Sequence, residues 1–109
     1  MSQNRRIILL DTSAFIAGYD PFSQYDEQIT TPKVEEEILR NSMIKLRFQT
    51  ALESGKVKIQ APNSDAAAKT HATKSGDTSK LSETDLQLLS LAFELKEQGY
   101  TPQIVTDDY

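Results

Sequence analysis

The residues of this 109-residue chain best suited to do chemistry are carboxylates. Asp11 follows an unbroken apolar run, Ile7-Ile8-Leu9-Leu10, and Asp107 and Asp108 follow Ile104-Val105-Thr106. Asp85 falls in the first turn of a helix opened by Ser82, and Glu37 shares a helix face with Val34 and Ile38. Open α/β sheets place their chemistry outside the carboxyl ends of their strands, where these aspartates are delivered. No lysine or arginine is placed by the same pattern to neutralise them. Like charges gathered at one edge resist ionisation unless a cation sits among them. Hard oxygen donors in that number suit Mg²⁺ or Mn²⁺.

Each acid also has a plainer role. Asp11 suits a turn or a helix cap, Asp85 complements a helix dipole, Glu37 can pair with Arg40, and Asp107-Asp108 can form a simple turn. Taken one at a time these roles are as good as the functional one. Taken together they leave unexplained why all the acids fall at the same end of the fold.

The elements that must position the acids are legible in the hydrophobic pattern. Four apolar residues before Asp11 read as a strand covered on both faces, as in a parallel sheet. Thr12 or Ser13 is expected to cap a short helix that begins at once. Tyr19, Phe22 and Tyr25 then stand in a loop, either as anchors to the core or as a platform for base stacking, whereas Phe15 reads as core. Residues 28 to 31 make a short strand, and Thr31-Pro32 opens a helix with proline at its first position. In that helix Val34 and Ile38 define the buried face and turn Glu37 inward, while Glu35 and Glu36 point elsewhere. A second helix runs from Ser42 to about Ser54 and stops at Gly55. Val57 to Gln60 is a strand ended by Pro62, and an alanine-rich helix follows from Asn63 or Ser64 to Ser75-Gly76. A polar loop, residues 74 to 80, precedes the leucine-rich helix that opens at Ser82 and ends at Gln98-Gly99. The last strand is expected from Gln103 into the terminal aspartates.

Composition bounds the class. The length suits a single domain with one core, and no internal repeat interrupts it. Without cysteine there is neither a disulfide nor a thiolate zinc site within the chain. The short apolar run behind Arg5-Arg6 is too brief for a signal peptide or a membrane span, so a cytoplasmic protein with no membrane association is expected. The net charge of −4 argues against a nucleic-acid partner, but its distribution argues the other way. Basic residues collect at Lys33, Arg40, Lys45, Arg47, Lys56 and Lys58, and again at Lys69, Lys74 and Lys80. Acids dominate residues 83 to 109, which implies an acidic pocket with a basic approach.

Four stretches together carry a family resemblance. The strand Ile7 to Leu10 with Asp11-Thr12-Ser13, the helix Thr31-Pro32 through Glu37-Ile38, Leu81-Ser82-Glu83-Thr84-Asp85, and Ile104 to Asp108 resemble the four acidic motifs of PIN-domain ribonucleases, in order and over nearly the whole chain. The runs Thr-Pro-x-Val-x-x-Glu, Leu-Ser-x-Thr-Asp and Val-Thr-Asp-Asp-Tyr look most like the branch that matures the 3′ end of small-subunit ribosomal RNA. The resemblance implies a three-layer α/β/α PIN-like fold with a small, mostly parallel sheet, occupying residues 1–109 as one nuclease domain. It implies that Asp11, Glu37, Asp85 and Asp108 hold one or two Mg²⁺ or Mn²⁺ ions, with Asp108 matching the fourth position better than Asp107. It implies RNA as the partner, with the precursor of the small ribosomal subunit as the expected source. Ser13, Thr106, Lys69, Lys74 and Lys80 are the expected substrate contacts, and Thr12 shares the ligand-orienting role of Ser13; His71 reads as solvated. Two departures stand out: the branch's cysteine-rich zinc ribbon is absent, and the chain stops one residue after Asp108, so a C-terminal truncation that removes the last helix and strand is expected. The rivals are a toxin-type PIN ribonuclease held by an antitoxin, a non-catalytic RNA-binding assembly domain, and a phosphoacceptor receiver domain. The last lacks its required acidic pair at the first strand and its lysine after the last.

Overall fold

A computed structural model describes residues 5–63 and 82–106. The elements are β1 (Arg6–Leu10), α1 (Thr12–Ile16), a 3-10 turn at Pro21–Ser23, β2 (Glu27–Thr30), α2 (Pro32–Leu39), α3 (Ser42–Glu53), β3 (Val57–Ile59), α4 (Glu83–Glu97) and β4 (Thr101–Val105). The four strands form one parallel sheet in the order β3-β2-β1-β4. β1 is central, and its residues 7–10 are all buried, as an uninterrupted apolar run requires.

The strand order dictates the layers. From β1 to β3 the chain steps one way across the sheet, and from β3 to β4 it steps back past β1. Right-handed crossovers therefore place α1, α2 and α3 on one face and α4 on the other. In the packing, α1, α2 and α3 touch one another, and α4 lies along β4 and meets α2. Between sheet and first helical layer Phe15 and Phe48 meet edge to face, with ring centroids 5.3 Å apart and planes at 88°. The α/β architecture read from the sequence is the one observed.

Local chemistry sets the element ends. α3 ends where Gly55 takes φ +84°, its N–H bonding to Leu52 O at 3.1 Å while Lys56 N bonds to Ala51 O at 3.0 Å. α4 ends in the same way at Gly99, with Tyr100 N bonded to Leu95 O at 3.0 Å. Both are Schellman closures, and each turns the chain at once into the next strand. β4 begins at Thr101, two residues before the expected start, because Thr101 N already bonds to Arg5 O at 2.9 Å. Pro102 is tolerated within this strand, which borders the described sheet.

Two polar side chains are buried in β2 and both are satisfied. Thr30 donates its hydroxyl to Leu10 O at 2.6 Å, joining the ends of β2 and β1. Gln28 donates to Pro21 O at 2.9 Å and accepts from the Tyr19 hydroxyl at 2.6 Å, which pins the loop after α1 over the sheet. Tyr19 thus serves as an anchor, whereas Phe22 and Tyr25 are exposed. Among the described residues no helix is long and apolar enough to cross a membrane. The alanine-rich stretch and the polar loop before Ser82 lie outside the described residues.

Candidate active site

The carboxyl edge of the sheet collects the first turns of the helices that follow or approach it. Asp11 leaves β1 and is itself the N-cap of α1, its Oδ1 accepting from Thr12 N at 2.8 Å. This corrects the expected cap at Thr12 or Ser13. The first free N–H of the helix lies within reach of the aspartate, which releases both hydroxyls for other work. Ser13 donates to Asp11 Oδ2 at 3.3 Å, and Asp11 N donates to Val105 O at 3.2 Å. The end of β4 is thereby fastened beside Asp11, and half-buried Thr106 follows directly.

Glu37 reaches the same edge from α2. Neither of its oxygens takes Arg40 as a partner. Thr12 Oγ1 donates to Oε1 at 2.6 Å and Thr84 Oγ1 donates to Oε2 at 2.7 Å. The carboxylate therefore joins three helices, with donors that are chain neighbours of Asp11 and of Asp85.

Asp85 occupies the third position of α4 and closes a capping box with Ser82. Asp85 N donates to Ser82 Oγ at 3.1 Å, and Ser82 N donates to Asp85 Oδ2 at 3.3 Å. The helix-start role expected of it is real, and so is its proximity to the other acids. Burial pushes the Asp11 carboxyl above its ordinary value, and the charges of Asp85 and Glu37 push it the same way. The Thr12 N–H and the Ser13 hydroxyl pull it down but do not prevail.

The ion pairs among the described residues, Arg6–Asp26 and Lys33–Glu83, leave all three acids without a basic partner. Lys33 and Glu83, 3.2 Å apart, bridge α2 to α4 at the border of the cluster, where Lys33 N also accepts support from Gln87 by donating to its Oε1 at 2.8 Å. Among the described residues no group of three acids is drawn to ligand spacing. The donor chemistry nevertheless fits a hard divalent ion, because Mg²⁺ commonly takes only one or two carboxylates directly and fills the remaining positions with water and substrate phosphate.

The structure thus brings together Asp11, Glu37, Asp85 and Ser13, with Thr106 at the end of β4. Asp107, Asp108, Lys69, Lys74, Lys80 and His71 lie outside the described residues. Sequence reasoning overlooked Thr84 as a site residue. The available signal was its symmetry with Thr12, since each is a hydroxyl next in the chain to an inward aspartate.

Comparison with known proteins fits this arrangement. The pattern of the family described as "PIN domain of ribonuclease" matches residues 8–95. The chain belongs to this family. PIN-domain relatives include Endoribonuclease Nob1 of Pyrococcus abyssi, 38% identical over 94% of this chain and 58% of the relative, and Endoribonuclease Nob1 of Methanocaldococcus jannaschii, 39% identical over 95% of this chain and 49% of the relative. Ribonuclease VapC3 of Aeropyrum pernix is 35% identical over 96% of this chain and 76% of its own length. The chain therefore spans about half the length of the Nob1 relatives it matches. In this PIN domain Asp11 follows β1, and the charges of Glu37, from α2, and Asp85, from the first turn of α4, act on it.

Proposed function

We propose that the chain is a divalent-metal-dependent endoribonuclease of small-subunit ribosomal RNA 3′-end maturation, acting on RNA of the precursor small ribosomal subunit. The observation that carries the reading is the meeting of Asp11, Glu37 and Asp85 at one sheet edge with no cationic partner among the described residues. Asp108 completes the set as the fourth acid, and the ions are one or two Mg²⁺ or Mn²⁺. The identity to proteins named Endoribonuclease Nob1 supports the choice of branch.

The chain's own groups divide the work. Asp11 and Asp85 present oxygens whose charge is concentrated by partial burial, and Glu37 is held by two hydroxyls so that its free lone pairs stay in place. When bound, the ion supplies Lewis acidity that activates water and stabilises the leaving oxygen. The water oxygen would form the new bond to phosphorus as the bond to the leaving ribose oxygen breaks, with the water's proton passing to solvent and the leaving oxygen taking one up from solvent. Lys69, Lys74 and Lys80 contribute phosphate contacts on the approach.

The test is cleavage of an RNA spanning the 3′ end of the small-subunit ribosomal RNA with and without Mn²⁺. Cleavage that needs Mn²⁺, is lost in Asp11→Asn and Asp85→Asn, and survives in Glu35→Gln supports the reading. Metal-independent cleavage, or full activity of Asp85→Asn, overturns it. A second reading, a toxin-type ribonuclease, draws on the larger share of VapC3 that the chain covers. Copurification with a small antitoxin in place of small-subunit binding would favour it.

A further inference from the structure

We propose that Thr84 is a positioning residue for Glu37. Its hydroxyl, acting with that of Thr12, fixes the plane of the Glu37 carboxylate so that the remaining lone pairs are presented to a divalent ion. The inference rests on the metal-dependent reading above.

The geometry is specific. An ionised carboxylate has about four lone-pair sites. Two are occupied, one on each oxygen, by hydroxyls at 2.6 and 2.7 Å. Bonds to both oxygens, from hydroxyls on two different helices, restrain the carboxylate's terminal torsion, which is otherwise broad. One lone pair on each oxygen is left for a cation or its water. Thr84 is only 8% exposed and β-branched, which limits the rotamers open to its hydroxyl. At the second position of α4 a threonine hydroxyl is commonly spent on local backbone, yet here it crosses to another helix. The two threonines are the chain neighbours of Asp11 and Asp85. Any shift of α1 or α4 that moved those aspartates would therefore move the hold on Glu37 as well.

A merely structural role makes a different prediction, because α2 and α4 share a second polar tie. Gln87 Oε1 accepts from Lys33 N at 2.8 Å without touching Glu37. The experiment is calorimetric Mn²⁺ titration of the full chain as wild type, Thr84→Val, Thr84→Ser and Gln87→Ala, with thermal unfolding of each in EDTA. Loss of a hydrogen bond that orients a metal-binding carboxylate is expected to weaken Mn²⁺ binding about 10-fold in Thr84→Val. Thr84→Ser restores it, whereas Gln87→Ala lowers thermal stability and leaves affinity at the wild-type level. Thr84→Ala gives the same reading should the added methyl of valine unfold the start of α4. Wild-type affinity in a folded Thr84→Val, or an equal loss in Gln87→Ala, overturns the positioning role alone. A wild type that takes up no Mn²⁺ overturns the metal reading and this role with it.

Discussion

The Asp11 carboxylate, at the N-cap of α1, lies in the electrostatic field of Asp85, in the first turn of α4. Burial and the nearby Asp85 and Glu37 charges together hold its carboxyl above the ordinary value for aspartate. In the metal-free chain this has a definite sign. Between the unfolded and folded pKa values the native state binds the proton more tightly, so stability falls as pH rises through that window, and the deficit persists at neutral pH.

Asp11→Asn is therefore expected to raise the Tm of the metal-free chain at pH 7 while abolishing cleavage. Asparagine is as good an N-cap as aspartate, so the bond to Thr12 N survives the change. The difference in Tm should close as pH is lowered through the ordinary aspartate range. Calorimetric scans in EDTA from pH 3 to pH 8, a range of roughly one unit either side of the usual carboxylate and imidazole values, check this; a lower Tm for Asp11→Asn at pH 7 would contradict it. Added Mn²⁺ should reverse the order by stabilising the wild type alone.

Phe48 is fully buried and edge-on to Phe15, between the sheet and its helices. Phe48→Ala removes the buried ring and leaves a cavity, at a cost of about 3–5 kcal/mol. That is a large fraction of the roughly 5–15 kcal/mol that stabilises a domain of this size, so urea denaturation should show a midpoint well below that of the wild type. Phe48→Leu should retain most of the loss-free fold. A Phe48→Ala midpoint close to wild type would show that this aromatic pair does not hold the helical layer to the sheet.

Gly55 separates steric from conformational cost. A Cβ at this position meets nothing within 4 Å, yet the backbone sits at φ +84°. Gly55→Ala should therefore cost about 1–2 kcal/mol, the penalty of the left-handed conformation by itself. Gly55→Asn should cost less and Gly55→Val more, because asparagine tolerates this region and β-branching does not. Urea midpoints of the three variants decide it; equal midpoints for asparagine and valine would mean that the α3 closure opens on substitution.

The sequence by itself determined the ingredients. The run Ile7 to Leu10, bounded by Arg5-Arg6 and Asp11, reads as a strand buried on both faces. Thr31-Pro32, Ser82 and the glycines after α3 and α4 mark element ends through local hydrogen bonding. The Val34–Ile38 spacing turned Glu37 inward. These are readable because each depends on neighbours within a few residues. The partners of those side chains depend on which elements pack together. The move of the Glu37 carboxylate from Arg40 to Thr12 and Thr84, and the field of Asp85 at Asp11, arise only when α1, α2 and α4 converge on one edge. Hydrogen bonds and Coulomb forces act over a few ångströms in space, without regard to separation along the chain. For that reason composition and spacing announced an acidic site, and only the tertiary arrangement decided which hydroxyls hold it in shape.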